Sequence, residues 1–134
     1  ARHHDAGVFV LALTSNREGP QFQHAVCADG RTVAGTVLDE VRARNTGVDD
    51  LGSVGVVVGA TIGETDEDLG VGGPLLVPGI GAQGGTVEDV RRIFGAAARN
   101  VLPSTSREVL GAGPDKQSLH EAALRTAEAF AGLG

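Results

Sequence analysis

The chain has 134 residues, 41% apolar and 21% charged, with only 3% aromatic and 21 glycines. That is enough for one small domain with an aliphatic core, and the Val, Leu and Ala content excludes a disordered chain. A net charge of −6 argues against nucleic acid as a partner, because nothing here would neutralise a polyanion. A single small phosphate is different, since a few amides and one Arg can hold it locally.

Cys27 is the lone cysteine, which rules out an internal disulfide and fits a reducing, cytoplasmic setting. No apolar run approaches the roughly 18–20 residues of a membrane span, so no membrane partner is expected. The opening residues Ala1–Gly7 read like the tail of a helix feeding a strand, and the expectation is that more chain lies upstream.

Four apolar runs follow in order: Gly7–Leu13, Val54–Ala60, Pro74–Val77 and Asn100–Leu102. None alternates strictly, so each is expected to be covered on both faces, as in a parallel sheet. Between the first two, Val33, Val37 and Val41 recur at helical spacing before Arg42–Asn45. Between the second and third, Gly63–Gly73 leaves room for roughly two helical turns, close to the minimum for a crossover. Thr86 and Asp89 have capping-box spacing and open a helix over Thr86–Ala98, whose apolar face is Val87, Val90, Phe94 and Ala97. A last helix is expected from Ser118, with Glu121 three residues on, burying Leu119, Ala123, Ala127 and Phe130.

A strand, loop and helix repeated about four times predicts a parallel α/β architecture in a single partial domain spanning residues 1–134. Four such units make half of an eight-unit barrel or most of an open, doubly wound sheet. Periodicity does not separate the two. A half-barrel leaves two strand edges unpaired, and closing them needs the missing half or a second copy.

The segment Pro78-Gly79-Ile80-Gly81-Ala82-Gln83-Gly84-Gly85 lies directly between a strand and a capped helix. Glycines let the backbone approach a ligand with its N–H groups turned inward, which suits a phosphate. Gln83 is the one long polar side chain there, able to donate to a phosphate oxygen or a ring carbonyl. A tight turn with no ligand has the same glycine content. The spacing of Gly79, Gly81 and Gly84 also matches a dinucleotide fingerprint, but that motif belongs in the first βαβ unit with an acid following the next strand. Here it falls in the third unit, and Pro103–Arg107 follows.

Arg107, in Ser104–Glu108, can make a charge-assisted, bidentate contact with phosphate. So early in a helix it opposes the helix dipole, which hints at an anionic partner; a solvent-exposed pairing with a carboxylate is the plainer alternative. In (β/α)₈ barrels a phosphate site commonly forms from the loops after strands seven and eight, the places these two segments would take in a C-terminal half. Ser15, in the polar loop Thr14–Pro20, stands at the carboxyl edge of the first strand and can bond a substrate or simply shape a turn. His3, His4, His24 and His120 show no metal spacing, and Glu64–Asp68 reads as a solvated acidic face.

The segments 7–16 (GVFVLALTSN), 54–61 (VGVVVGAT), 75–85 (LLVPGIGAQGG) and 101–110 (VLPSTSREVL) closely resemble orotidine 5′-phosphate decarboxylases of a bacterial subgroup, in order and over nearly the whole chain. The resemblance implies the C-terminal half of a (β/α)₈ TIM barrel that forms a homodimer through its active-site face. It implies conversion of orotidine 5′-phosphate to UMP and CO₂ without metal or organic cofactor. It assigns Ser15 to the pyrimidine, Gln83 to a bridge between pyrimidine and phosphate, Pro78 and Ile80 to the walls around the base, and Arg107 to the phosphate.

The family's chemistry rests on an Asp-x-Lys-x-x-Asp element and a further lysine. This chain has one lysine, Lys116, outside any such motif. The resemblance therefore implies no catalytic residue here, only the binding half of a site. It also makes the Gly63–Gly73 connection look short for the family. A non-catalytic nucleotide-binding module, or another phosphate-handling barrel enzyme, fits the same residues.

Overall fold

The computed structural model describes residues 6–133, so most of the Ala1–Gly7 segment read as a helix tail, with His3 and His4, lies outside the described residues. Four strands form one sheet: β1 (Val8–Leu13), β2 (Val54–Val58), β3 (Leu75–Pro78) and β4 (Val101–Ser104). All three pairings are parallel, and the strands stand side by side in chain order. Right-handed crossovers that always step the same way place every connection on one face of the sheet.

Burial agrees with this winding. Val56, Val58, Leu75, Val77 and Val101 are buried against the connections, together with Leu38 and Val41 of one helix and Val90 and Phe94 of another. The opposite face is open: Phe9 is 42% exposed, Leu11 60% and Leu102 49%. Register aligns Leu11, Val57, Leu76 and Leu102 across it, an apolar stripe with no layer on top among the described residues. A doubly wound sheet would be covered on both faces, so the architecture is that of a half-barrel. The expectation that every strand is covered on both faces is corrected here: among the described residues only one face is covered.

The connections differ in kind. Between β1 and β2 lie α1 (Gly19–Gln23) and α2 (Val33–Asn45), the latter capped by Thr32, whose hydroxyl accepts from Gly35 N–H at 2.8 Å. The face α2 buries is Ala34, Leu38, Val41 and Asn45; Val33 is exposed, so the four-residue repeat names only part of the stripe.

Between β2 and β3 there is no helix, contrary to the expected fourfold repeat. An irregular strap crosses instead, burying Leu69 and Val71 where a helix would place its apolar face. Three of its carbonyls, on Asp68, Gly70 and Val71, accept from side chains of α2. Asn45 Nδ2 donates to Val54 O at 2.8 Å and Val71 O at 2.9 Å, and its Oδ1 accepts from Val54 N–H at 3.3 Å. Arg42 donates to the carbonyls of Asp68 and Gly70 and pairs with the Asp68 carboxylate at 3.0 Å. Glu67 is bonded to Thr32 and paired with Arg31, so Glu64–Asp68 is only in part a solvated face.

Helix α3 (Val87–Phe94) carries the expected capping box, with Thr86 and Asp89 exchanging bonds of 3.1 Å. It ends earlier than expected, at Gly95 with φ +48°, and a 3₁₀ turn over Gly95–Asn100 leads into β4. After β4 come the short α4 (Arg107–Leu110) and α5 (Lys116–Phe130).

The cap of α5 is Asp115, whose carboxylate accepts from Ser118 N–H at 2.9 Å; Ser118 is therefore the third helical residue and not the start. Its buried residue is Ala122, with Leu119 and Phe130 half-buried, whereas Ala123 and Ala127 are exposed. They line an open cavity of about 700 Å³ beside the free edge of β4. Among the described residues the predicted apolar face is therefore only partly covered, at Leu119 and Phe130.

Candidate functional site

The carboxyl ends of the four strands carry the polar loops, and two adjoining cavities open among them. One, of about 220 Å³, is lined by Pro78, Gly79, Ile80, Ala82, Gln83 and Ser104–Arg107. The other, of about 410 Å³, is lined by Thr14, Ser15, Asn16, Gly59, Pro78 and Gln83. Pro78 and Gln83 belong to both. The fold thus brings Ser15, Pro78, Ile80, Gln83 and Arg107 to one edge of the sheet, with Gln83 between the serine and the arginine. Ile80 lies on the Arg107 side, 5% exposed, and does not reach the Ser15 cavity.

The glycine segment is shaped by its own backbone. Gly79, Gly81 and Gly84 have φ of +98°, +66° and +89°, values that residues with a Cβ rarely adopt. Gly85 N–H donates to Gly79 O, and Gly81 N–H to Gly85 O, each at 3.0 Å. A Cβ on Gly85 would lie 2.5 Å from Ala60 Cβ and 2.6 Å from Gly79 O, so the turn closes only around a bare backbone. Among the described residues the N–H groups of Ala82 and Gln83 find no backbone acceptor, and both residues line the smaller cavity. Two free amides, three consecutive hydroxyl-bearing residues (Ser104, Thr105, Ser106) and a guanidinium form a donor-rich concavity, a natural place for an anion.

Arg107 makes no ion pair among the described residues, so the plainer reading of a carboxylate partner is not what the fold provides. Thr105 Oγ1 donates to Ile80 O at 3.3 Å, and Glu108 packs against Gly81, so the two loops are tied to each other.

At the other end, the Ser15 loop is braced from α1. Gln23 accepts from Thr14 N–H at 3.0 Å and donates to Thr14 Oγ1 at 2.7 Å. Ser15 Oγ itself accepts from Thr61 Oγ1 at 3.0 Å.

Gln23, Thr61, Thr105 and Asn45 were not legible as contributors. Thr61 and Thr105 had a local signal, since each follows a barrel-type strand at the edge where such sites are built. Lys116 is the exposed first residue of α5. Among the described residues no group of three or more His, Cys, Asp or Glu is placed to hold a metal, and no helix is long and apolar enough to cross a membrane. A cavity of about 530 Å³ at the amino-terminal edge, by Gly7, Phe9 and Gly52, has no charged side chain among the described residues that line it.

A sheet wound one strand at a time, open on its inner face and carrying its polar cavities at the carboxyl edge, defines part of a (β/α)₈ barrel of the enzyme type. The chain belongs to the orotidine 5′-phosphate decarboxylase / HUMPS family, whose model matches residues 1–122. It is 58% identical over 128 residues to an orotidine 5′-phosphate decarboxylase of Streptomyces coelicolor, covering 95% of this chain and 46% of that protein. It is 65% identical over 113 residues to one from Nocardioides sp., covering 82% and 41%. A crystal structure from Streptomyces avermitilis, assigned to the same enzyme, superposes with a TM-score of 0.88 at 54% identity, over 96% of this chain and 45% of that one. The chain thus spans less than half the length of these relatives.

Proposed function

We propose that this chain supplies the phosphate- and pyrimidine-binding half of an orotidine 5′-phosphate decarboxylase, the enzyme that forms UMP. The observation that carries this reading is the position of Gln83, which lines the donor-rich cavity of Arg107 and also the cavity of Ser15. A nucleotide has one dianionic end and one planar, hydrogen-bonding end, and a single bridging amide between two such cavities matches that outline. In this reading Arg107 and the Ala82 and Gln83 amides hold the phosphate. Ser15 meets the ring, and Pro78 and Ile80 confine the nucleotide between them.

The chain's one lysine is outside any Asp-x-Lys-x-x-Asp element, so the groups that act on the carboxylate come from barrel strands upstream. Binding energy gained at the phosphate lowers the barrier at a reacting carbon several bonds away, provided the interaction strengthens towards the transition state. The open inner face and the free edges of β1 and β4 are where the other half of the barrel docks. A homodimer meeting at the active-site face, and a cytoplasmic setting, complete the reading.

The test is a comparison of substrates in the full-length protein. Gln83→Ala and Arg107→Ala should each lower kcat/KM for orotidine 5′-phosphate by roughly tenfold or more, the scale of one lost charge-assisted hydrogen bond. Decarboxylation of unphosphorylated orotidine should change much less. Equal losses on both substrates refute the assignment.

A further inference from the structure

Ser15 and Thr61 are 46 positions apart and meet because β1 and β2 end together. Gly59 N–H donates to Leu13 O at 2.9 Å, which carries the β1–β2 ladder to the carboxyl edge. A Cβ on Gly59 would come within 3.6 Å of Ser15 N and 3.3 Å of Ile62 Cγ2, so the bare position keeps the cavity open beside Ser15. Beyond these ends the Thr61 hydroxyl donates to Ser15 Oγ at 3.0 Å. On the other side the Ser15 loop is held by the two bonds between Thr14 and Gln23, an anchor separate from Thr61.

A serine hydroxyl has one proton and two acceptor directions. Accepting from Thr61 uses one of those directions and polarises the Ser15 O–H, strengthening it as a donor. What remains to face the cavity is chiefly a proton.

We propose that Thr61 is a positioning residue that sets Ser15 as a hydrogen-bond donor, and so makes the cavity prefer a pyrimidine edge bearing a carbonyl over one bearing an amino group. The inference rests on the proposed contact between Ser15 and the pyrimidine. Uracil and cytosine differ in this respect: one presents an acceptor where the other presents a donor. Without Thr61 the Ser15 rotor is free to turn and accept from an amino group, so discrimination falls even though Ser15 is still present.

Calorimetric titration of the full-length protein with UMP and CMP tests this, using Thr61→Val, Thr61→Ser, Ser15→Ala and the Ser15→Ala/Thr61→Val double variant. Thr61→Val should reduce the UMP-to-CMP affinity ratio by roughly fivefold, the scale of one net hydrogen bond. Thr61→Ser should keep the ratio, and in the Ser15→Ala background Thr61→Val should change nothing further. Binding of ribose 5-phosphate, which has no base, should be the same in every variant. If Ser15→Ala lowers the ratio and Thr61→Val does not, the role of Thr61 is overturned and the site reading stands. If Ser15→Ala leaves UMP binding unchanged, the pyrimidine contact fails and this inference fails with it.

Discussion

Replacing Asn45 with Leu keeps a side chain of similar size and removes the three hydrogen bonds by which Asn45 ties the start of β2 and the helix-free crossover to α2. Asn45 is 5% exposed, Val54 7% and Val71 1%, so water cannot readily replace what is lost. Two carbonyls, on Val54 and Val71, lose donors at 2.8 and 2.9 Å, and Val54 N–H loses a longer bond of 3.3 Å. Stranding a buried polar group costs about 1–3 kcal/mol. With the two short bonds dominating, the expected loss is about 3 kcal/mol, a large part of the roughly 5–15 kcal/mol available to a folded domain.

The assay is urea denaturation of the full-length protein with amide hydrogen exchange alongside. The midpoint should fall, and protection should be lost first at Gly52, Val54 and Val71, while α5 keeps its protection. Asn45→Asp should be no better near neutral pH, because a carboxylate would face two carbonyls. A loss below about 1 kcal/mol, or exchange that rises uniformly over the chain, would refute the claim that this amide pins the helix-free crossover to α2.

Two further predictions concern stability and the loop. The Asp89 carboxyl is held below its ordinary range by hydrogen bonds from Arg92 and then from Thr86, and that of Asp115 by Ser118. A depressed folded-state pKa contributes stability above the unfolded value of about 3.9, and this is lost as pH falls below that value. An acid titration followed by circular dichroism should therefore show a shallower loss of helix below about pH 4 in Asp89→Asn and Asp115→Asn than in the parent; superimposable curves would contradict it. Gly85→Ala should reduce binding of inorganic phosphate and lower Tm together, because the added methyl meets Ala60 Cβ at 2.5 Å and Gly79 O at 2.6 Å. Unchanged phosphate affinity by calorimetry would show that the turn does not shape that cavity.

Much of this protein could be read along the chain, since it depends on neighbours in sequence. The four strands appear as continuous apolar runs because one face packs against the connections and the other keeps apolar residues such as Leu11 and Leu102 that are exposed here. The capping box at Thr86 and Asp89 is a three-residue pattern, and the glycine turn advertises the positive φ it needs. Candidate site residues were legible because barrel chemistry gathers just past strand ends, and Ser15, Gln83 and Arg107 all stand there.

Only the tertiary structure decided the rest. A run of valines reports burial and not which strand it lies beside, so half-barrel and doubly wound sheet were indistinguishable until the strands stood in chain order with one face open. The helix-free crossover, the amide of Asn45 that pins it to α2, and the bond from Thr61 to Ser15 each join residues far apart in sequence. Such bonds leave no periodic trace, because either partner alone looks like an ordinary polar residue at the end of a helix or a strand.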